Sequence, residues 1–215
     1  MNRPGQALRL ALHDLYANSW RLVPMNAALG VIVVAVGAAA VSARPLVVLA
    51  VLAGPLVAAL VHCAVTLARE ERLTFADWRE GLRLHWRRGL LLGAGGALLA
   101  FAGIFAVRFY SGSHLLWPLA FLTVYVVALL GIFQLLLWTL AIAEPSRSLR
   151  ASARAALELV ARRPGSTLLL GLALLLINAA GLAAAVMPFL TLTIAYSFVA
   201  TARFALPRPT AEDAS

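Results

Sequence analysis

Six apolar stretches, each long enough to cross a bilayer as a helix, divide this chain of 215 residues, and its arginines are sorted around them. A hydrocarbon core about 30 Å thick takes about 20 helical residues. The stretches fall at about 22–42, 46–68, 89–107, 115–143, 166–186 and 189–206. Threaded in turn through a membrane, they separate the intervening segments into two sets. Residues 1–21, 69–88, 144–165 and 203–215 carry 16 of the 18 arginines; residues 43–45, 108–114 and 187–188 carry only Arg44 and Arg108, and the chain has no lysine. Short basic segments stay cytoplasmic. The expected fold class is therefore all-α: a polytopic helical membrane protein of about six transmembrane helices with cytoplasmic amphipathic helices. One membrane domain covers 1–206, both termini are cytoplasmic, and the polar tail 207–215 is expected to be disordered.

Composition supports this class. The chain is 62% hydrophobic and 13% charged, whereas a soluble domain carries about a quarter charged residues. The net charge of +9 does not imply nucleic acid, because the arginines flank apolar spans and no nucleic-acid-binding motif is present. Anionic lipid headgroups are the partner such arginines meet. The run Leu22–Val41 exceeds the 7–15 residues of a signal-peptide core, so it reads as a retained span. Abundant Ala, Leu and Arg without Lys points to a GC-rich bacterial genome, and hence to a bacterial cytoplasmic membrane. The single cysteine, Cys63, leaves no internal disulfide and reads as a structural thiol in an apolar span.

Three segments are amphipathic. Leu8, Ala11, Leu12, Leu15 and Ser19 share helical spacing and predict a short helix lying on the inner surface, with Trp20 and Arg21 at headgroup level. Thr74 and Asp77 form a capping-box pattern. After it, Phe75, Trp78, Leu82 and Trp86 make an apolar stripe, with Arg79, Glu80, Arg83 and Arg87 off it. A third helix starts at Pro145-Ser146, with Leu149, Ala153, Ala156, Leu157 and Val160 opposed to Arg147, Arg150, Arg154, Glu158 and Arg162. Arg72, Arg79, Leu82, Leu84, Arg87 and Arg88 recur 75 positions later as Arg147, Arg154, Leu157, Leu159, Arg162 and Arg163. A parallel repeat and two helices meeting one physical demand both account for this. Gly54-Pro55 predicts a kink in the second span.

All nine acids lie outside the spans. Burying a charged acid costs about 2.5–3.5 kcal/mol on the insertion scale, and coupled pumps usually accept that cost at a functional carboxylate. The absence disfavours a carboxylate-driven pump and the membrane aspartyl and zinc proteases. The four histidines have no zinc-ligand spacing, and no Gly-x-Ser-x-Gly elbow occurs. Gly93-Ala94-Gly95-Gly96 lacks the third glycine of a dinucleotide fingerprint, and no P-loop lysine exists. Gly89 and Gly93 instead permit close helix packing. No enzyme activity and no cofactor is expected. Within the spans His62, Gln134 and Asn178 are the notable polar residues. They either hydrogen-bond between helices or line a polar cavity. The inner helices, through Arg79, Arg83, Arg87, Arg150 and Arg154, either anchor on headgroups or dock a partner.

The order of features resembles a known family. Trp20 and Asn26 open the first span, followed by Gly54-Pro55, Ala58-Ala59-Leu60, the turn acids Glu70 and Glu71, and the helix of Phe75, Trp78 and Trp86. This layout resembles the YesL-like family of bacterial integral membrane proteins, whose molecular function is undefined. The family helix usually carries lysines and phenylalanines where this chain has arginines and tryptophans. The resemblance implies a bundle of about six spans. It also implies an accessory role near sugar uptake, and so a transporter complex as partner, with no catalytic residues to carry over. The alternative expectation is a small autonomous transporter or channel.

Overall fold

A computed structural model describes residues 2–42, 51, 53–70, 72–183 and 192–207. Among these residues there is no strand, and eight α-helices follow one another: α1 (Pro4–Ala17), α2 (Ser19–Ser42), α3 (Gly54–Glu70), α4 (Phe75–Ser111), α5 (Trp117–Ala143), α6 (Leu149–Arg162), α7 (Pro164–Ala183) and α8 (Ile194–Ala205). The expected turns at Arg44-Pro45 and Met187-Pro188, and the tail from Arg208 onward, lie outside the described residues. Three of the helices, α4, α5 and α7, are long and apolar enough to cross a membrane.

The amphipathic segment 75–88 and the apolar stretch after it are one helix of 37 residues, about 55 Å long at 1.5 Å per residue. Thr74 starts it in extended backbone, its N–H donating to Asp77 Oδ2 at 2.6 Å. The segment 75 positions further on behaves differently. There α6 stops at Arg162, Arg163 adopts φ −140° and ψ 59°, and Pro164 opens α7. A proline drives the residue before it out of helical backbone. Its counterpart at the same offset is Gly89, through which α4 runs on. The two similar segments therefore part company at one position.

Gly54-Pro55 begins α3. At a helix start the missing proline N–H breaks no intrahelical bond, so the pair initiates a helix there. α3 then runs back along the first half of α4. A Cβ on Gly89 would lie 2.7 Å from Gly54 O and 2.8 Å from Pro55 Cα, and one on Gly93 would lie 3.0 Å from Gly54 Cα. Further along, a Cβ on Gly81 would lie 2.8 Å from His62 Cβ. The small residues bring the two backbones together, as the spacing of Gly89 and Gly93 predicts. They also set α3 beside the amphipathic half of α4 and not beside its apolar half.

The core gathers at this end. Every residue of α8 from Ala195 to Ala205 is buried. Leu22 of α2, Leu60 and Leu67 of α3, and Leu136 of α5 are buried with it. Burying a side chain such as Phe204 fully contributes about 1.5–3 kcal/mol. α1 joins this core by its small residues: Ala7 and Ala11 are fully buried, whereas Leu12 and Tyr16 face outward. Of the residues expected to share its apolar face, Ala11 and Leu15 are buried and Leu8 packs against the core, so this face, with Ala7 beside it, meets protein. Toward their far ends α4 and α5 expose Leu98, Phe101, Ile104, Phe105, Phe121 and Leu122, as helices facing lipid do.

Candidate functional site at the arginine-rich end

The arginines at this end divide by what their guanidinium groups touch. Three of them tie elements together. Arg203, near the end of α8, donates from Nε to Asp14 Oδ2 of α1 at 2.7 Å, and both residues are buried. Its terminal nitrogens reach Ala68 O at 3.2 Å and Leu67 O at 3.3 Å. These are carbonyls of the last turn of α3, which have no intrahelical partner and carry the negative end of the helix dipole. Asn2 Nδ2 donates to Arg203 O at 2.7 Å, and Tyr196 Oη to Leu8 O at 3.0 Å. One charged pair thus joins the first, third and last helices.

Arg88 does the same for α4 and α5. Its guanidinium donates to Ala141 O at 2.7 Å, Glu144 O at 3.3 Å and Arg147 O at 2.7 Å, and also to Pro145 O. It therefore closes the C-terminal end of α5 and organises the turn leading to α6. Arg21 donates to Leu73 O and stacks over Trp20, 4.4 Å from the ring centre. Trp20 in turn meets Phe75 edge-on at 5.4 Å. The segregation of arginines marks this end of the chain but does not show which of them bind carbonyls.

Arg79, Arg83, Arg87, Arg150 and Arg154 are different: all five are exposed. Among the described residues the arginine–carboxylate pairs are Arg147–Glu144, Arg162–Glu158 and Arg203–Asp14, so none of the five is neutralised. Arg87 lies over Trp86, 5.1 Å from the ring centre. Arg79, Arg83 and Arg87 stand four apart along α4, and Arg150 and Arg154 four apart along α6, so each set lines one helical face. Because Arg88 binds the turn that precedes α6, it anchors these two basic helices to a common point. Ser148 caps α6 by accepting from Ala151 N–H at 3.3 Å.

The three polar residues of the apolar stretches do not converge; each engages a different neighbour. Gln134 Nε2 donates to Leu92 O at 3.1 Å, linking α5 to α4. Asn178 Nδ2 donates to Leu174 O at 2.8 Å and to Ser197 Oγ at 2.7 Å, linking α7 to α8. His62 sits over Gly81 with its ring 5.2 Å from that of His85. His85 is buried and its Nδ1 has no hydrogen-bond partner. Asn26, fully buried in α2, accepts from Ala195 N–H at 2.7 Å and so satisfies a free donor at the start of α8. The sequence patterns assign no bonding role to Asp14, Asn26, Arg88 or Arg203; Asn26 and Arg88 stand out only in the family-like layout and the 75-residue similarity. The available signal for Asp14 was its place on the alanine face of α1 with Ala7 and Ala11.

Among the described residues no group of three or more His, Cys, Asp or Glu is placed to hold a metal ion. No protein-family model, no curated protein and no solved structure matches the chain.

Proposed function

We propose that this chain is a six-span protein of a bacterial inner membrane, with both termini cytoplasmic. It acts as a non-enzymatic accessory component of a membrane transport system, and the YesL-like resemblance points to carbohydrate uptake. The observation that carries this reading is the set of exposed arginines without acidic partners, Arg79, Arg83 and Arg87 on α4 and Arg150 and Arg154 on α6. Such a surface complements an acidic face on a partner. The apolar helices α4, α5 and α7 supply the membrane setting, and the segregation of arginines supplies the orientation.

The second reading is an autonomous transporter or channel, and the paired rings of His62 and His85 favour it. Gln134 and Asn178 count against it, since both amides donate to neighbouring helices.

The test is a mild-detergent pull-down of the tagged protein from its own membranes, read by mass spectrometry. Stoichiometric recovery of a transporter subunit is expected, and Arg79, Arg83 and Arg87 replaced together by Ala reduce that recovery while insertion is unchanged. Recovery of the chain alone would overturn the accessory reading and leave the transporter reading in its place.

A further inference from the structure

The far end of the α4–α5 pair carries a feature that neither partner docking nor helix packing uses. Between the two helices lies an apolar groove of about 440 Å³, lined by Ala100, Gly103, Ile104, Val107, Val124 and Val127. At its rim stands Arg108, exposed, one turn before the end of α4. Among the described residues no carboxylate pairs with it. It is also one of only two arginines outside the four basic segments. Aromatic side chains ring the same level: Phe105 stacks on Phe109 at 6.5 Å, Phe109 meets Tyr110 at 5.5 Å, and Trp117 meets Phe121 at 4.8 Å. Of these, Tyr110 and Trp117 are the types that gather at the membrane–water interface. A cationic residue thus ends an apolar slot, at the level of Tyr110 and Trp117.

Those two chemistries in that order are the two ends of one amphiphile. We propose that the groove is a phospholipid site, with the lipid phosphate on the Arg108 guanidinium and one acyl chain laid between α4 and α5 from Val107 toward Ala100. The groove volume falls in the range of small-molecule sites, about 300–1,000 Å³. From Arg108 to Ala100 the helix rises about 12 Å, enough to hold the upper part of an acyl chain. Guanidinium is suited to phosphate because its planar fork donates two parallel hydrogen bonds. The floor is tight: a Cβ on Gly103 would lie 2.7 Å from Val127 Cγ2, so the helices touch beneath the chain.

The test uses the intact protein in mild detergent, stripped of lipid and then titrated with phosphatidylglycerol, diacylglycerol and inorganic phosphate under native mass spectrometry. One phosphatidylglycerol per chain is expected to bind. Diacylglycerol, lacking the phosphate, and inorganic phosphate, lacking the chain, bind far more weakly. Arg108→Ala weakens phosphatidylglycerol binding about tenfold or more, the loss expected for a charge-assisted hydrogen bond. Arg9→Ala, which removes one charge elsewhere, does not. Ala100→Trp fills the slot from the other end and provides an independent check, with Arg108 kept and the same weakening expected. Equal binding of diacylglycerol, or undiminished phosphatidylglycerol binding in both Arg108→Ala and Ala100→Trp, would overturn the proposal.

Discussion

The guanidinium of Arg88 lies 2.7 Å from the carbonyl oxygen of Ala141, 53 positions further along the chain. It holds the end of α5 and the following turn to the middle of α4. Arg88→Ala therefore leaves several carbonyls of residues 141–147 without a donor. A destabilisation of about 1.5–3 kcal/mol is expected, and Arg88→Lys recovers only part of it, because an ammonium is a point charge without the planar fork. Loosening of the turn is checked by limited trypsin digestion, with faster cleavage after Arg147 and Arg150 than in the unaltered protein.

Close contact between α3 and α4 makes two glycine substitutions diverge. Gly89→Ala drives a methyl group into Gly54 and Pro55 and is expected to cost about 1–3 kcal/mol by overpacking. Gly95, also in α4, has nothing within 4 Å of its would-be Cβ, so Gly95→Ala gains about 0.5–1 kcal/mol from helix propensity. Thermal unfolding in detergent should shift in opposite directions for the two. A shared direction would contradict the packing described at Gly54.

Asn178→Leu removes the hydrogen bond to Ser197, and Gln134→Leu the one to Leu92. Each is expected to lower stability by about 0.6–2 kcal/mol without altering partner recovery. Loss of solute flux in proteoliposomes on either replacement would instead favour the transporter reading.

Cys63 is fully buried, so on a Cys63→Ser background a cysteine introduced at Ser113 is the only reactive thiol. With six spans and an inner amino terminus, it is labelled from outside intact cells by a membrane-impermeant maleimide, while a reporter fused after Ser215 stays cytoplasmic. Inner labelling at Ser113 would invert the proposed topology.

Much of the helical layout follows from patterns visible in the chain. The capping pair Thr74 and Asp77 starts α4 where expected, and the spacing of Gly89 and Gly93 produces a close helix contact. The apolar face of α1 is legible in Leu8, Ala11 and Leu15, which pack on the core, but the pattern does not single out Leu12 as the residue that turns outward. In helix–helix packing Ala7 and Ala11 allow the closer approach, and Leu12 is left outside. The amphipathic segment and the apolar stretch after it form one helix through Gly89 but two helices at Pro164, since only proline removes the backbone donor and displaces its predecessor. The roles of Arg88 and Arg203 were not legible. A guanidinium that binds carbonyls and one that faces solvent carry the same charge in sequence, and only the crossing of helices far apart in the chain tells them apart.

The pairing of Asp14 with Arg203 sets an order on biosynthesis. Asp14 leaves the ribosome 189 residues ahead of its partner, an interval of about 10–40 s at 5–20 residues per second. Throughout that interval the acid on α1 lacks its cation, and the last-turn carbonyls of α3, at Leu67 and Ala68, wait through the last 135 or so residues of it. This core therefore closes only when α8 arrives. A nascent chain stalled before Arg203 would present a bundle in which Asp14 and the last-turn carbonyls of α3 have no cation between them.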